Sequence, residues 1–245
     1  VYEFKSVREV MAKANEEKSG DKLAGIAAET AEERVAAKVV LSHLTLNDLR
    51  NSPAVPYEED EVTRIIQDAV NETIFNEFKN MTVAEFREWL LSESTTTEMI
   101  RHASRGLTSE IVAGVCKLMS NLDLIYAAKK MRVSAHCNTT IGLPGTFSSR
   151  LQPNHTTDDP KGIIASVMEG LSLGCGDAVI GLNPVDDSLE SVARIQKMFD
   201  EFKRKWEIPT QICVLAHVTT QMAAADKLGA PLDLMFQSIA GSQKG

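Results

Sequence analysis

Cysteine is scarce in this sequence: Cys116, Cys137, Cys175 and Cys213 are the only four in 245 residues. No two of them form a CxxC pair or a zinc-like spacing. Cys175 and Cys213 sit in the apolar contexts "GLSLGCGDAVIG" and "TQICVLAH", where a buried thiol behaves as a small hydrophobe. Reduced, structural cysteines are the expectation, as in a reducing cytosol. Long apolar runs are missing too. None approaches the roughly 20 residues of a membrane span, and the opening "VYEFKSVREV" has no signal-peptide core. The first residue is not Met, so the stretch is expected to begin inside a longer gene product. Positive charge is in deficit, with 26 Lys and Arg against 34 Asp and Glu and a net charge of -8. That balance argues against a surface that tracks nucleic-acid phosphates.

What is present suits a globular chain: 43% hydrophobic and 24% charged residues, enough for one large α/β domain or two smaller ones. Residues 1–130 read as a helical N-terminal segment. "SVREVMAKANEE" and "AEERVAAKVVLSHL" space their apolar residues by three and four. "DEVTRIIQDAVNETIFNEF" carries Val62, Ile65, Ile66, Ala69 and Val70 along one stripe, and "LTSEIVAGVCKLMSNLDLIYAAKKM" reads as another such helix, starting at Thr108 or Ser109. In "TVAEFREWLLS", Thr82 and Glu85 have the spacing of a capping box. Pro53 and Pro56 break the helical run at a turn.

From about residue 131 the pattern changes. Four short apolar runs, "TTIGLP" (139–144), "GDAVIGLNP" (176–184), "TQICVLAH" (210–217) and "LDLMFQSIAG" (232–241), lack strict alternation, as strands buried on both faces do. Amphipathic stretches separate them: "KGIIASVMEGLSLG", "SLESVARIQKMFDEFKRKW", capped by Asp187 or Ser188, and "TTQMAAADKLG". Strand and helix in alternation predict a parallel sheet. Strand starts recur every 20 to 40 residues, near the ~31 per unit of a (β/α)8 TIM barrel of ~250 residues. A doubly wound sheet also satisfies the alternation, but no GxGxxG follows a strand and "GLPGTFSSR" is not a Walker A loop. Residues 131–245 are therefore expected to form about the first four strand–helix units of a barrel.

Barrel active sites lie at the C-terminal ends of the strands. The four expected exits offer Arg150 and Gln152, then Asn183 and Pro184, then His217 with Thr219 and Thr220, and last Gln237 and Ser238. The set holds neutral amides and one cation. It has no carboxylate pair for glycosidase chemistry and no HxH or HExxH metal signature. Each residue has a plainer reading. Arg150 could pair with Asp158 or Asp159 at the surface, Asn183 before Pro184 could serve a turn, and His217 could be packed against a backbone carbonyl. "NHTTDDP", with His155, Asp158 and Asp159, reads as a solvated loop leading into a helix.

"NTTIGLPGTFSSRLQPN", "GDAVIGLNPVDD", "PTQICVLAHVTTQ" and "FQSIAGSQKG", with "SGDKLAGIAAET", "VTRIIQDAVNET", "RGLTSE" and "NLDLIYAAKKM" before them, closely resemble the large subunit of ethanolamine ammonia-lyase. The resemblance implies a (β/α)8 barrel and an adenosylcobalamin-dependent lyase that converts ethanolamine to acetaldehyde and ammonia. It implies a small-subunit partner, a hetero-oligomer with cobalamin between the subunits, and a cytoplasmic place, free or inside a bacterial microcompartment. Arg150, Gln152 and Asn183 fall on the family's substrate-binding positions, with Arg150 catalytic; Pro184 and Gln237 fall on positions that touch cobalamin. A Glu and an Asp that hold the substrate ammonium come from later strands, so the 245 residues alone are expected to be inactive. Two alternatives stand beside this reading. One is a non-catalytic fragment or assembly module; the other is a metal-dependent barrel hydrolase using His217 and His155.

Overall fold

The computed structural model describes residues 1–237 and 240–243. The chain divides into two compact units, one formed by Val1–Arg132 and the last described residues from Ala240, the other starting at Val133.

The first unit is helical. It contains α1 (Val7–Lys13), α2 (Ser19–Leu23), α3 (Ala31–His43), α4 (Leu46–Arg50) and α5 (Glu61–Asp68). These are followed by α6 (Glu72–Phe78), α7 (Val83–Leu91), α8 (Thr97–Ser104), α9 (Ser109–Lys117) and α10 (Asn121–Lys130). Thr82 and Glu85 form the expected capping box at the start of α7, each side chain receiving the other's backbone N–H. Two stretches that read as single helices are divided. Asn71 accepts the N–H of Ile74 and opens α6, and Ser120 forms a capping box with Asp123 that opens α10. A side chain that satisfies orphan N–H groups starts a new helix even where the apolar stripe runs on. Leu41, Leu46, Leu49, Phe75, Val83, Phe86, Ile111 and Val115 form the buried core.

The second unit is mixed helix and sheet. A two-residue antiparallel ladder joins β1 (Ala135–His136) to β2 (Thr140–Ile141). Three strands, β3 (Arg150–Leu151), β4 (Val179–Leu182) and β5 (Ile212–Val214), form a parallel sheet in chain order. α11 (Pro160–Ser172) links β3 to β4, α12 (Leu189–Lys205) links β4 to β5, and α13 (Val218–Leu228) follows β5. Ser188, not Asp187, caps α12.

Two of the four expected strands differ. The run at 139–144 yields only β2, on the antiparallel ladder; the parallel sheet begins ten residues later, at Arg150. Gly142 turns the chain away at φ 91°, where a Cβ would stand 2.3 Å from the carbonyl oxygen of Val133. The run at 232–241 forms no strand over residues 232–237, while Ser238 and Ile239 lie outside the described residues. There the chain is held by side chains instead: Asp233 Oδ2 accepts from the backbone N–H of Ile212, the Asn138 amide and the Lys203 ammonium.

The sheet has two unlike faces. The register pairs Arg150 with Val179, Leu151 with Ile180, Gly181 with Cys213 and Leu182 with Val214. Alternation therefore puts Leu151, Ile180, Leu182, Ile212 and Val214 on one face. These residues pack with Ile163 and Val167 of α11 and Val192, Ile195 and Phe199 of α12. Arg150, Val179, Gly181 and Cys213 share the opposite face. Among the described residues, no helix is long and apolar enough to cross a membrane.

Candidate functional site

The face away from the helices carries a charge that the sheet does not neutralise. Arg150 is half-buried on β3, and its Nε and Nη2 are buried with no hydrogen-bond partner among the described residues. Neither Asp158 nor Asp159 forms an ion pair with it, so the surface-pair reading fails. The guanidinium lies against Gly181 of the neighbouring strand and 4.9 Å from the centroid of the Phe236 ring. A guanidinium over an aromatic face gains a cation–π attraction but leaves its in-plane N–H groups free to donate. Buried donors without acceptors are costly, so this pair is suited to a ligand oxygen. Cys213 shares the face; burial pushes its thiol above the ordinary range, while a hydrogen bond with the Phe236 backbone and the Arg150 charge pull the other way.

Gln152 and Asn183 are exposed, each one residue past the end of its strand. By the two-residue alternation Gln152 continues the side of Arg150, and Asn183 that of Gly181. The β3 and β4 exits are pinned to each other. Asn154 Oδ1 accepts the backbone N–H of Asn183 at 2.9 Å. Asp158 Oδ2 accepts those of Val185 and Asp186 at 2.8 and 3.0 Å. Asp158 is only 2% exposed and has a left-handed φ of 50°, so the segment expected to be a solvated loop contains a buried anchor. Neither Asn154 nor Asp158 stands out in the sequence; an Asn and an Asp among prolines read as turn residues.

The remaining candidates have contacts of their own. His217 caps α13, accepting the Thr219 N–H, with its Nδ1 2.7 Å from Thr219 Oγ1. Thr220 is the next residue of that helix. His155 Nδ1 accepts the N–H groups of Thr157 and Asp159. Among the described residues no three His, Cys, Asp or Glu side chains could hold a metal together. Pro184 is half-buried between Asn183 and Val185. Gln237 Oε1 accepts the backbone N–H of Val218 at the start of α13. Ser238 lies outside the described residues.

A short parallel sheet whose strands alternate with helices defines this unit as α/β. Residues 2–245 match the family described as ethanolamine ammonia lyase large subunit (EutB). The ethanolamine ammonia-lyase large subunits of Escherichia coli K12 and Salmonella typhimurium LT2 are each 58% identical over 245 residues, which is all of this chain and 54% of theirs. The chain belongs to the ethanolamine ammonia-lyase large-subunit family. It spans about half the length of the curated relatives it matches.

Proposed function

We propose that the protein to which these 245 residues belong is an ethanolamine ammonia-lyase, releasing acetaldehyde and ammonia from ethanolamine. The observation that carries the reading is the pair of buried nitrogens on Arg150 that have no hydrogen-bond partner among the described residues. In this reading Arg150 and the Asn183 amide donate to the substrate hydroxyl oxygen, and charge that develops there as nitrogen departs meets a cation that cannot lose its proton. The amide oxygen of Gln152 accepts from the substrate ammonium. Donors and acceptors held by neighbouring strand ends fix both ends of a two-carbon substrate, where most of the benefit is orientation. The sequential parallel order of β3, β4 and β5, each followed by a helix, supports the opening units of a (β/α)8 barrel.

Adenosylcobalamin is the cofactor in this proposal. The positions assigned to it, Pro184 and Gln237, adjoin the exposed apolar side chains Val185 (67%) and Phe236 (50%). Apolar surface with an amide beside it fits a broad ring whose rim carries amides. Bound there, the cofactor supplies the radical chemistry at the carbinol carbon. The chain's own part is to orient the substrate and balance its charge. A small subunit completes the proposed assembly, in the cytoplasm or within a bacterial microcompartment. The family's ammonium-holding Glu and Asp would come from strands beyond residue 245, so these 245 residues by themselves are proposed to be inactive.

The test is acetaldehyde release by the complete large subunit assembled with its small subunit. Turnover that requires both ethanolamine and adenosylcobalamin is expected. Acetaldehyde release that persists without cobalamin and disappears with a chelator would replace the cobalamin proposal with metal-dependent chemistry.

A further inference from the structure

We infer that Gly181 is a positioning residue for the reaction: its missing side chain is what seats the Arg150 guanidinium on the sheet. The inference rests on the reading of Arg150 given above and adds a residue to it.

Glycine inside a strand weakens it, through lost packing and a larger entropy cost on folding. In β4 the neighbours Ile180 and Leu182 are buried in the helix-covered core, yet the residue between them has no side chain. Backbone conformation does not demand it, because Gly181 is not among the glycines with positive φ. Space does. A Cβ built at 181 would stand 3.0 Å from Nε, 3.0 Å from Nη2 and 3.3 Å from Cζ of Arg150, and these are its three nearest atoms. Glycine in a strand often marks such a close approach.

The two Arg150 nitrogens that approach Gly181 are the two that lack hydrogen-bond partners among the described residues. A methyl group there would move the donors themselves. Half-buried, and with the Phe236 ring 4.9 Å from its centre, the guanidinium has little freedom to slide while keeping its aim. A displacement of a few tenths of an ångström changes donor geometry toward a small substrate, and misplacement by ~1 Å can cost on the order of a hundredfold in rate. Binding contacts elsewhere on the substrate would survive, so kcat should fall more than KM rises.

The experiment is a double-mutant cycle in the complete enzyme, large and small subunits with adenosylcobalamin, comparing wild type, Gly181→Ala, Arg150→Lys and the double variant. Gly181→Ala is expected to lower kcat about tenfold. In the Arg150→Lys background, where a slender ammonium replaces the fork, the same substitution should cost less than about twofold. Equal losses in both backgrounds, or wild-type kcat in Gly181→Ala, would overturn the inference while leaving the role of Arg150 intact. Wild-type activity in Arg150→Ala, measured alongside the cycle, would instead remove the underlying reading. If Gly181→Ala does not fold, the double variant decides: recovery of folded protein places the clash on the guanidinium, and failure of both contradicts it.

Discussion

Asn154 and Asn183 are joined by a side-chain carbonyl that accepts a backbone N–H at 2.9 Å, which ties the β3 exit to the β4 exit. Asp158 adds two more such bonds to Val185 and Asp186. Together they fix the backbone that carries Asn183 and Pro184.

Asp158 is the more exacting of the two anchors. Asp158→Ala removes one oxygen that serves two N–H groups and leaves both unsatisfied, at a cost of about 2 kcal/mol. It also puts a Cβ-only side chain at a φ of 50°, which Asn tolerates better. Asp158→Asn should therefore retain most of the stability. Thermal unfolding of both variants checks the order, and in the complete enzyme Asp158→Ala should raise KM for ethanolamine.

Asp177 gives a pH dependence. Its Oδ1 accepts from the Ser149 backbone N–H at 2.7 Å and the Ser149 hydroxyl at 2.8 Å, and these bonds hold the carboxyl below its usual range. A depressed folded-state pKa contributes stability above the unfolded value near ~3.9 and loses it as pH falls through the lower, folded value. Asp177→Asn should thus cost about 1 kcal/mol at pH 7, with the difference shrinking below about pH 4. Urea unfolding at pH 7 and pH 3 measures it; a gap that widens in acid contradicts the assignment.

The cysteines should separate by reactivity. Cys116 and Cys137 are exposed and Cys213 is buried, with its thiol pushed up by desolvation. The thiolate is the reactive form, so alkylation of the native protein at pH 8 should be at least about tenfold slower at Cys213 than at Cys137. Peptide mapping after a short pulse reads this directly.

Much of the helical architecture was legible because caps are local. Thr82 with Glu85, and Ser188, announce helix starts within four residues. Asn71 and Ser120 do not announce themselves, because the apolar stripe continues through them and periodicity does not register an interruption made by hydrogen bonds. The apolar run at 139–144 reads as the first parallel strand. The true strand starts with Arg150, whose charge is tolerated because it faces away from α11 and α12. Alternation and register were needed to put Arg150, Gly181 and Cys213 on one face; neither spacing nor composition gives cross-strand partners. Asp158 was hidden by its setting, since burial of a loop carboxylate depends on N–H groups 27 and 28 residues away.

The proposed role of Arg150 is tested most directly by kcat/KM for ethanolamine in the complete enzyme, comparing wild type, Arg150→Ala and Arg150→Lys. Loss of a donor aimed at developing charge predicts a fall of about a hundredfold or more for Arg150→Ala, with Arg150→Lys recovering only part of it because a point charge lacks the fork. Wild-type kcat/KM in Arg150→Ala would contradict the account, and the two buried nitrogens would then need another acceptor.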